Sequence, residues 1–167
     1  SRETMLSIMA RESNYRAVRF LVEHGSDIND CGATGVAPIV WTTIRPDFKE
    51  FMWFVEHGAS LDVRDSRGNT VLQSILWNCW MSAMENPDRL NAVKYILSHT
   101  NKATLDSRNE YGETALFVAC QKRLPDIVKL LLENGADSNI PNKSGLTPLI
   151  MMAQERNTMN HDHAERR

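Results

Sequence analysis

The stretch NEYGETALFVACQKRLPDIVKLLLENGADSN, Asn109 to Asn139, reads as a turn, a short helix, a tight link, a second helix and a glycine stop. Gly112 leads through Glu113 into Thr114, whose hydroxyl is placed to take an orphan amide of the first helical turn. Leu116, Ala119 and Cys120 follow at helical spacing, and the small residues let a neighbouring helix approach closely. Pro125 stands where a second helix should begin, a position at which its missing amide hydrogen costs nothing. That helix, Asp126 to Asn134, is apolar on one broad face and stops at Gly135. Neither helix can bury its apolar face alone, so the stretch demands neighbours.

Copies of the stretch supply them. Turn glycines fall at Gly35, Gly68, Gly112 and Gly145, at intervals of 33, 44 and 33 residues. Extended backwards, the period sets Arg2-Glu3-Thr4-Met5-Leu6 in the slot of Gly145-Leu146-Thr147-Pro148-Leu149. The ends of the second helices agree as well: Leu21 to Asn29, Phe54 to Asp62 and Leu131 to Asn139 share one pattern centred on Gly25, Gly58 and Gly135. A 33-residue unit of turn plus two helices, with Thr-Pro-Leu-x-x-x-Ala at Thr147 to Ala153, resembles the ankyrin repeat. The resemblance implies an all-α solenoid of antiparallel helix pairs joined by hairpin-like loops. It implies repeats at 1–34, 35–67, 68–111 and 112–144, a partial fifth at 145–155, and a polar tail or degenerate cap at 156–167.

Composition agrees with one ordinary globular domain: 167 residues, 42% hydrophobic, 24% charged and a formal net charge of −2. No apolar run approaches a membrane span and no signal-peptide pattern is present. Cys31, Cys79 and Cys120 show no paired spacing, which fits a reducing compartment. A cytoplasmic protein is expected, with the nucleus as the other compartment. The first repeat begins abruptly at Arg2 without its turn, and the chain is expected to be part of a larger protein.

Two repeats depart from the pattern. In repeat two the capping threonine is lost, Trp41-Thr42-Thr43 replaces small residues, and the second helix carries Phe48, Phe51, Trp53 and Phe54, rings expected to fill the space between helix layers. Repeat three holds the added length. Nine extra residues around Trp77 to Pro87 meet no helix breaker before Asn86-Pro87, so the first helix is expected to run on through them. Trp77, Met81 and Met84 would then form a second apolar stripe. The remaining two extra residues belong to the loop after Thr100.

Catalytic and metal chemistry find no foothold. His24, His57 and His99 occupy one repeat position, the last turn of each second helix, where a histidine meets exposed carbonyls and the negative end of the helix dipole. His161-Asp162-His163 lacks the remaining ligands of a zinc site. Cys120 has no histidine near it within its repeat to make a nucleophile pair, and no phosphate-binding glycine motif occurs. No enzyme activity and no cofactor are expected.

Partners of ankyrin repeats usually meet the hairpin tips and the exposed side of each first helix. Carried onto this sequence, that surface brings Arg45, Arg64, Arg67, Arg108 and Lys122 into one groove of repeats two to four with Trp77 and Tyr111, residue types that dominate binding hot spots. Positive groups concentrated on one face of a slightly acidic chain imply an extended or acidic segment of another protein, or of another domain of the parent protein. A phosphorylated small molecule or a short oligonucleotide in the same groove is the alternative, through guanidinium contacts and ring stacking. Neither a membrane nor bulk nucleic acid is implied.

Overall fold

The computed structural model describes residues 3–44, 48–78 and 87–153. Among them the chain is all-α: nine α-helices and one 3-10 turn, with a single isolated bridge pairing Arg64 and Thr70. The helices fall into two units, residues 1–100 and 101–167. No helix among the described residues is long and apolar enough to cross a membrane.

The first unit stacks three helix pairs. α1 (Met5–Arg11) pairs with α2 (Tyr15–Glu23), α3 (Pro38–Trp41) with α4 (Phe48–Glu56), and α5 (Val71–Trp77) with α6 (Pro87–Ser98). Capping follows the sequence. The Thr4 and Asn14 side chains accept from Ser7 N and Ala17 N, and Thr70 with Gln73 closes a reciprocal capping box at α5. Of the four rings expected to fill the space between helix layers, Phe51 and Phe54 are buried, while Phe48 and Trp53 are half-buried. Phe54 meets Tyr15 edge-on at 6.3 Å between centroids, and Phe51 meets Tyr95 at 6.2 Å.

Repeat two has the shortest first helix. α3 spans four residues, and its cap position, Ala37, makes no side-chain hydrogen bond. Thr42 and Thr43 are buried and turn their hydroxyls back onto the carbonyls of Ile39 and Val40, both at 2.7 Å. That local bonding competes with helix continuation. Ahead of α3 the loop forms a 3-10 turn, Gly32–Thr34, around Gly32 at φ +53°. A β-carbon on Gly32 would lie 2.8 Å from Ser7 Oγ and 3.0 Å from Thr4 N, so glycine lets this loop close on the start of α1.

α5 does not run on into the added residues as the sequence leads one to expect. It ends at Trp77, where Asn78 leaves helical geometry and donates its Nδ2 to Thr43 Oγ1 at 3.1 Å. An asparagine that finds a side-chain partner across the stack is poor material for a helix interior. Met81 and Met84 lie outside the described residues.

The second unit contains α7 (Lys102–Leu105), α8 (Ala115–Gln121), α9 (Pro125–Glu133) and helical backbone over 148–153. α7 occupies the loop after Thr100: Asn101 Oδ1 caps it by accepting from Thr104 N at 2.9 Å. Thr114 caps α8, and Pro125 opens α9. Arg123 in the link between these helices, like Ser13 between α1 and α2, takes positive φ, 56° and 58°. Those left-handed residues make the links tight. α8 is buried from Ala115 to Cys120, the core of this unit.

Candidate functional site

In three repeats the hairpin tip is built by an Asn or Asp three positions before the turn glycine. Asn109 Oδ1 accepts from the amides of Tyr111 and Glu113, both at 2.9 Å, and its backbone exchanges bonds with Gly112 and Glu113. Asn142 repeats this with Ser144 and Leu146. Asp65 does so with Arg67 and Asn69, and its second oxygen accepts from Asn69 Nδ2 and Ser74 Oγ at 2.9 and 3.0 Å. All acceptor sites of that carboxylate face inward, so the tip keeps its backbone shape and shows little negative charge outward. Asp or Asn followed three residues later by Gly was the sequence signal for these residues, and the glycine spacing alone passes over it. In repeat two Gly32 stands where the others have Asp65 and Asn109, and the 3-10 turn replaces the tip.

On the first unit's tip, Arg64 and Arg67 are both exposed. Arg64 Nη1 donates to the Gly68 carbonyl oxygen at 2.6 Å. The Arg67 amide is held by Asp65, and among the described residues its guanidinium has no recorded partner. Trp77 lies at the opposite end of α5, half-buried, about 10 Å away along a helix of seven residues at 1.5 Å rise. Arg45 lies outside the described residues.

The second unit repeats the arrangement. Arg108 is exposed, but its guanidinium is engaged: Nε donates to Gly112 O at 3.1 Å and Nη2 to Pro141 O at 2.9 Å. Tyr111 beside it leaves 49% of its surface exposed, while its carbonyl accepts from Lys143 N at 2.9 Å. That bond ties one tip to the next. Lys122 caps the far end of α8 and is half-buried. Within each unit the candidate residues are thus hairpin-tip groups and a residue at the C-terminal end of the first helix, Trp77 in α5 and Lys122 after α8.

The histidines do cap. His24, His57 and His99 each place Nδ1 2.7 to 2.9 Å from the carbonyl four residues back. Each also stacks on the ring at that position, Phe20, Trp53 or Tyr95, with centroids 4.0 to 4.2 Å apart. A carbonyl only accepts, so Nδ1 carries the proton. Among the described residues no three His, Cys, Asp or Glu side chains cluster as a metal site requires, and His161 to His163 lie outside them. Cys120 is buried, and burial pushes its thiol above the ordinary range. Asn29 links consecutive repeats, its Nδ2 donating to Gly58 O and its Oδ1 accepting from Ser60 N, at 3.0 and 2.8 Å.

Comparison with known proteins agrees with this architecture. A profile of ankyrin repeats in three copies matches residues 80–165, just over half of the chain. A protein of Acanthamoeba polyphaga mimivirus named for its ankyrin repeats is 37% identical over 86 residues, covering 44% of this chain and 11% of the viral protein. One from Rickettsia bellii is 31% identical over 95 residues, 53% of this chain and 56% of its own length. A fowlpox virus counterpart is 26% identical over 149 residues, 80% of this chain and 25% of its own. The chain therefore spans well under two thirds of each relative.

Proposed function

The chain belongs to the ankyrin-repeat family, and from that premise we propose that it is a protein-binding module whose contacts are made by its hairpin cations and the groups at the C-terminal ends of its first helices. Ankyrin repeats are a general protein–protein interaction module. The finer assignment gives Arg64, Arg67 and Trp77 to this role in the first unit and Arg108, Tyr111 and Lys122 in the second, with Arg45 kept from the sequence. The partner is an extended, carboxylate-bearing segment of another protein or of another domain of the parent protein.

The observation that carries this is the state of Arg67. Its backbone is fixed by a turn whose one carboxylate is occupied internally, and its exposed guanidinium has no recorded partner among the described residues. A cation presented on an ordered backbone loses little freedom when it meets an anion, so more of the contact survives as affinity. Arg64, oriented by the Gly68 carbonyl, adds a second positive group on the same tip.

The test is selection of binding peptides from a displayed random library by the 167-residue chain, followed by titration of the winners against wild type and Arg67→Glu. Peptides rich in Asp and Glu, binding that weakens with salt, and loss of binding in a variant with an unchanged melting curve are expected. Selected peptides without acidic bias, or equal binding by Arg67→Glu, would remove the assignment.

A further inference from the structure

Consecutive helix pairs of the first unit meet through a small set of positions. α2 reaches α4 by Tyr15 on Phe54, by Arg19 Nη2 on Glu50 Oε1 at 2.7 Å, and by the Arg19 guanidinium 5.4 Å over the Trp53 ring. The receiving residues are therefore Glu50, Trp53 and Phe54; Pro38 and Thr42, at the two ends of the neighbouring first helix, are buried. One repeat earlier, 33 residues back, the same positions hold Ala17, Phe20, Leu21, Met5 and Met9. These five, together with Asn14 and Arg16, line a groove of about 480 Å³ on the outer side of the α1–α2 pair. Where Thr42 is 2% and Phe54 0% exposed, Met5 is 60% and Phe20 59% exposed.

We propose that this groove receives a further helix pair of the same 33-residue type, lying ahead of α1 in the native polypeptide. The argument is continuity: the first pair carries the receiving half of an interface whose complete form is seen one repeat later. The chemistry of the groove also specifies the incoming residues. With Ala17 and Phe20 in place of Glu50 and Trp53, no carboxylate waits for the residue in the Arg19 position, so that residue is aliphatic or aromatic rather than cationic. The residue in the Tyr15 position meets Leu21, an aliphatic side chain where Tyr15 itself meets a ring. The groove is open and mainly apolar, with Asn14 and Arg16 as its polar members, which suits the amphipathic face of a helix pair.

Oxidative footprinting read by peptide mass mapping tests this in two preparations, the 167-residue chain and the full native polypeptide. Oxidation of Met5 and Phe20 is expected to fall several-fold in the native polypeptide, while Tyr111 serves as an exposed reference. Phe20→Asp removes the ring on which His24 stacks, so it is expected to lower the melting temperature of the 167-residue chain modestly while leaving it folded, and to return Met5 oxidation in the native polypeptide to the rate of the shorter chain. Equal oxidation in both preparations overturns the proposal. So does a native polypeptide with no helix pair ahead of Ser1. Protection that appears in the 167-residue chain alone, rising with concentration together with a doubled mass in light scattering, assigns the groove to a second copy and overturns it as well.

Discussion

The imidazole of His57 stacks on the Trp53 ring at 4.1 Å and 23°, while its Nδ1 donates to the Trp53 carbonyl oxygen at 2.8 Å. One side chain thus closes the end of α4 twice, by covering a ring and by satisfying a terminal carbonyl. His57→Ala removes both and is expected to cost about 1 kcal/mol, a fall in Tm of about 2–4 °C for a chain of this size. His57→Asn should recover part of it, because Asn134 at the matching place in α9 donates its Nδ2 to Leu130 O at 2.8 Å without a ring. Thermal melts of the two variants decide the matter.

Arg19 and Glu50 form an ion pair across the first two repeats, and a double-mutant cycle measures it. Arg19 is 41% exposed, so solvent screening holds the coupling to about 0.5–1 kcal/mol, weaker in high salt. The single variants should differ. Glu50 is 17% exposed and its Oε2 has no partner among the described residues, so Arg19→Ala strands a poorly hydrated carboxylate. Glu50→Gln leaves Arg19 its exposure and its ring, and is expected to be the milder change in urea unfolding.

Gly32 and Gly25 both take positive φ, 53° and 92°, but only Gly32 is crowded. Gly25→Ala should cost about 1 kcal/mol from the backbone alone. Gly32→Ala adds a β-carbon against the Thr4 amide, which belongs to backbone and cannot swing away, and is expected to cost about 2–3 kcal/mol. Paired denaturation curves check the order.

The Cys120 thiol, raised by burial, makes stability depend on pH in the alkaline range. Because the folded pKa lies above the unfolded one, the contribution is complete below the unfolded thiol's pKa and is lost as pH rises through the folded value. Stability should therefore decline in alkaline buffer, and less so in Cys120→Ala. At neutral pH, in a Cys79→Ser background, half-buried Cys31 is expected to alkylate well before Cys120, as mass spectrometry of timed samples would report.

Much of the fold was legible because it is written several times over. Thr4, Asn14 and Thr114 as caps, Pro125 as a helix start and the glycine stops all follow from local chemistry, and the period supplies the partners that no single copy contains. Legibility ended where a distant residue decides. Asn78 stops α5 by bonding to Thr43, 35 positions away in sequence, and nothing local foretells it. The histidine caps were readable from their common position, whereas the stacked ring four residues earlier needed each pair to be read together. Charge was the least legible part. Arg64, Arg67 and Arg108 are alike in composition, yet Arg108 is drawn onto two backbone carbonyls and Arg67 is not. A guanidinium's neighbours depend on loops that the repeat pattern does not encode.

Between Gly68 and Gly112 the interval is 44 residues rather than 33, yet the Asp65 and Asn109 turns on either side make matching backbone bonds. Part of the surplus follows Asn78, where α5 has ended, and part follows Thr100, where α7 stands. The chain therefore has sites where it tolerates lengthening, set between segments that do not. For protein engineering this names a grafting point: a foreign peptide exchanged for residues 79–86 would be anchored by Asn78 on Thr43 at one side and by a proline-started helix at the other.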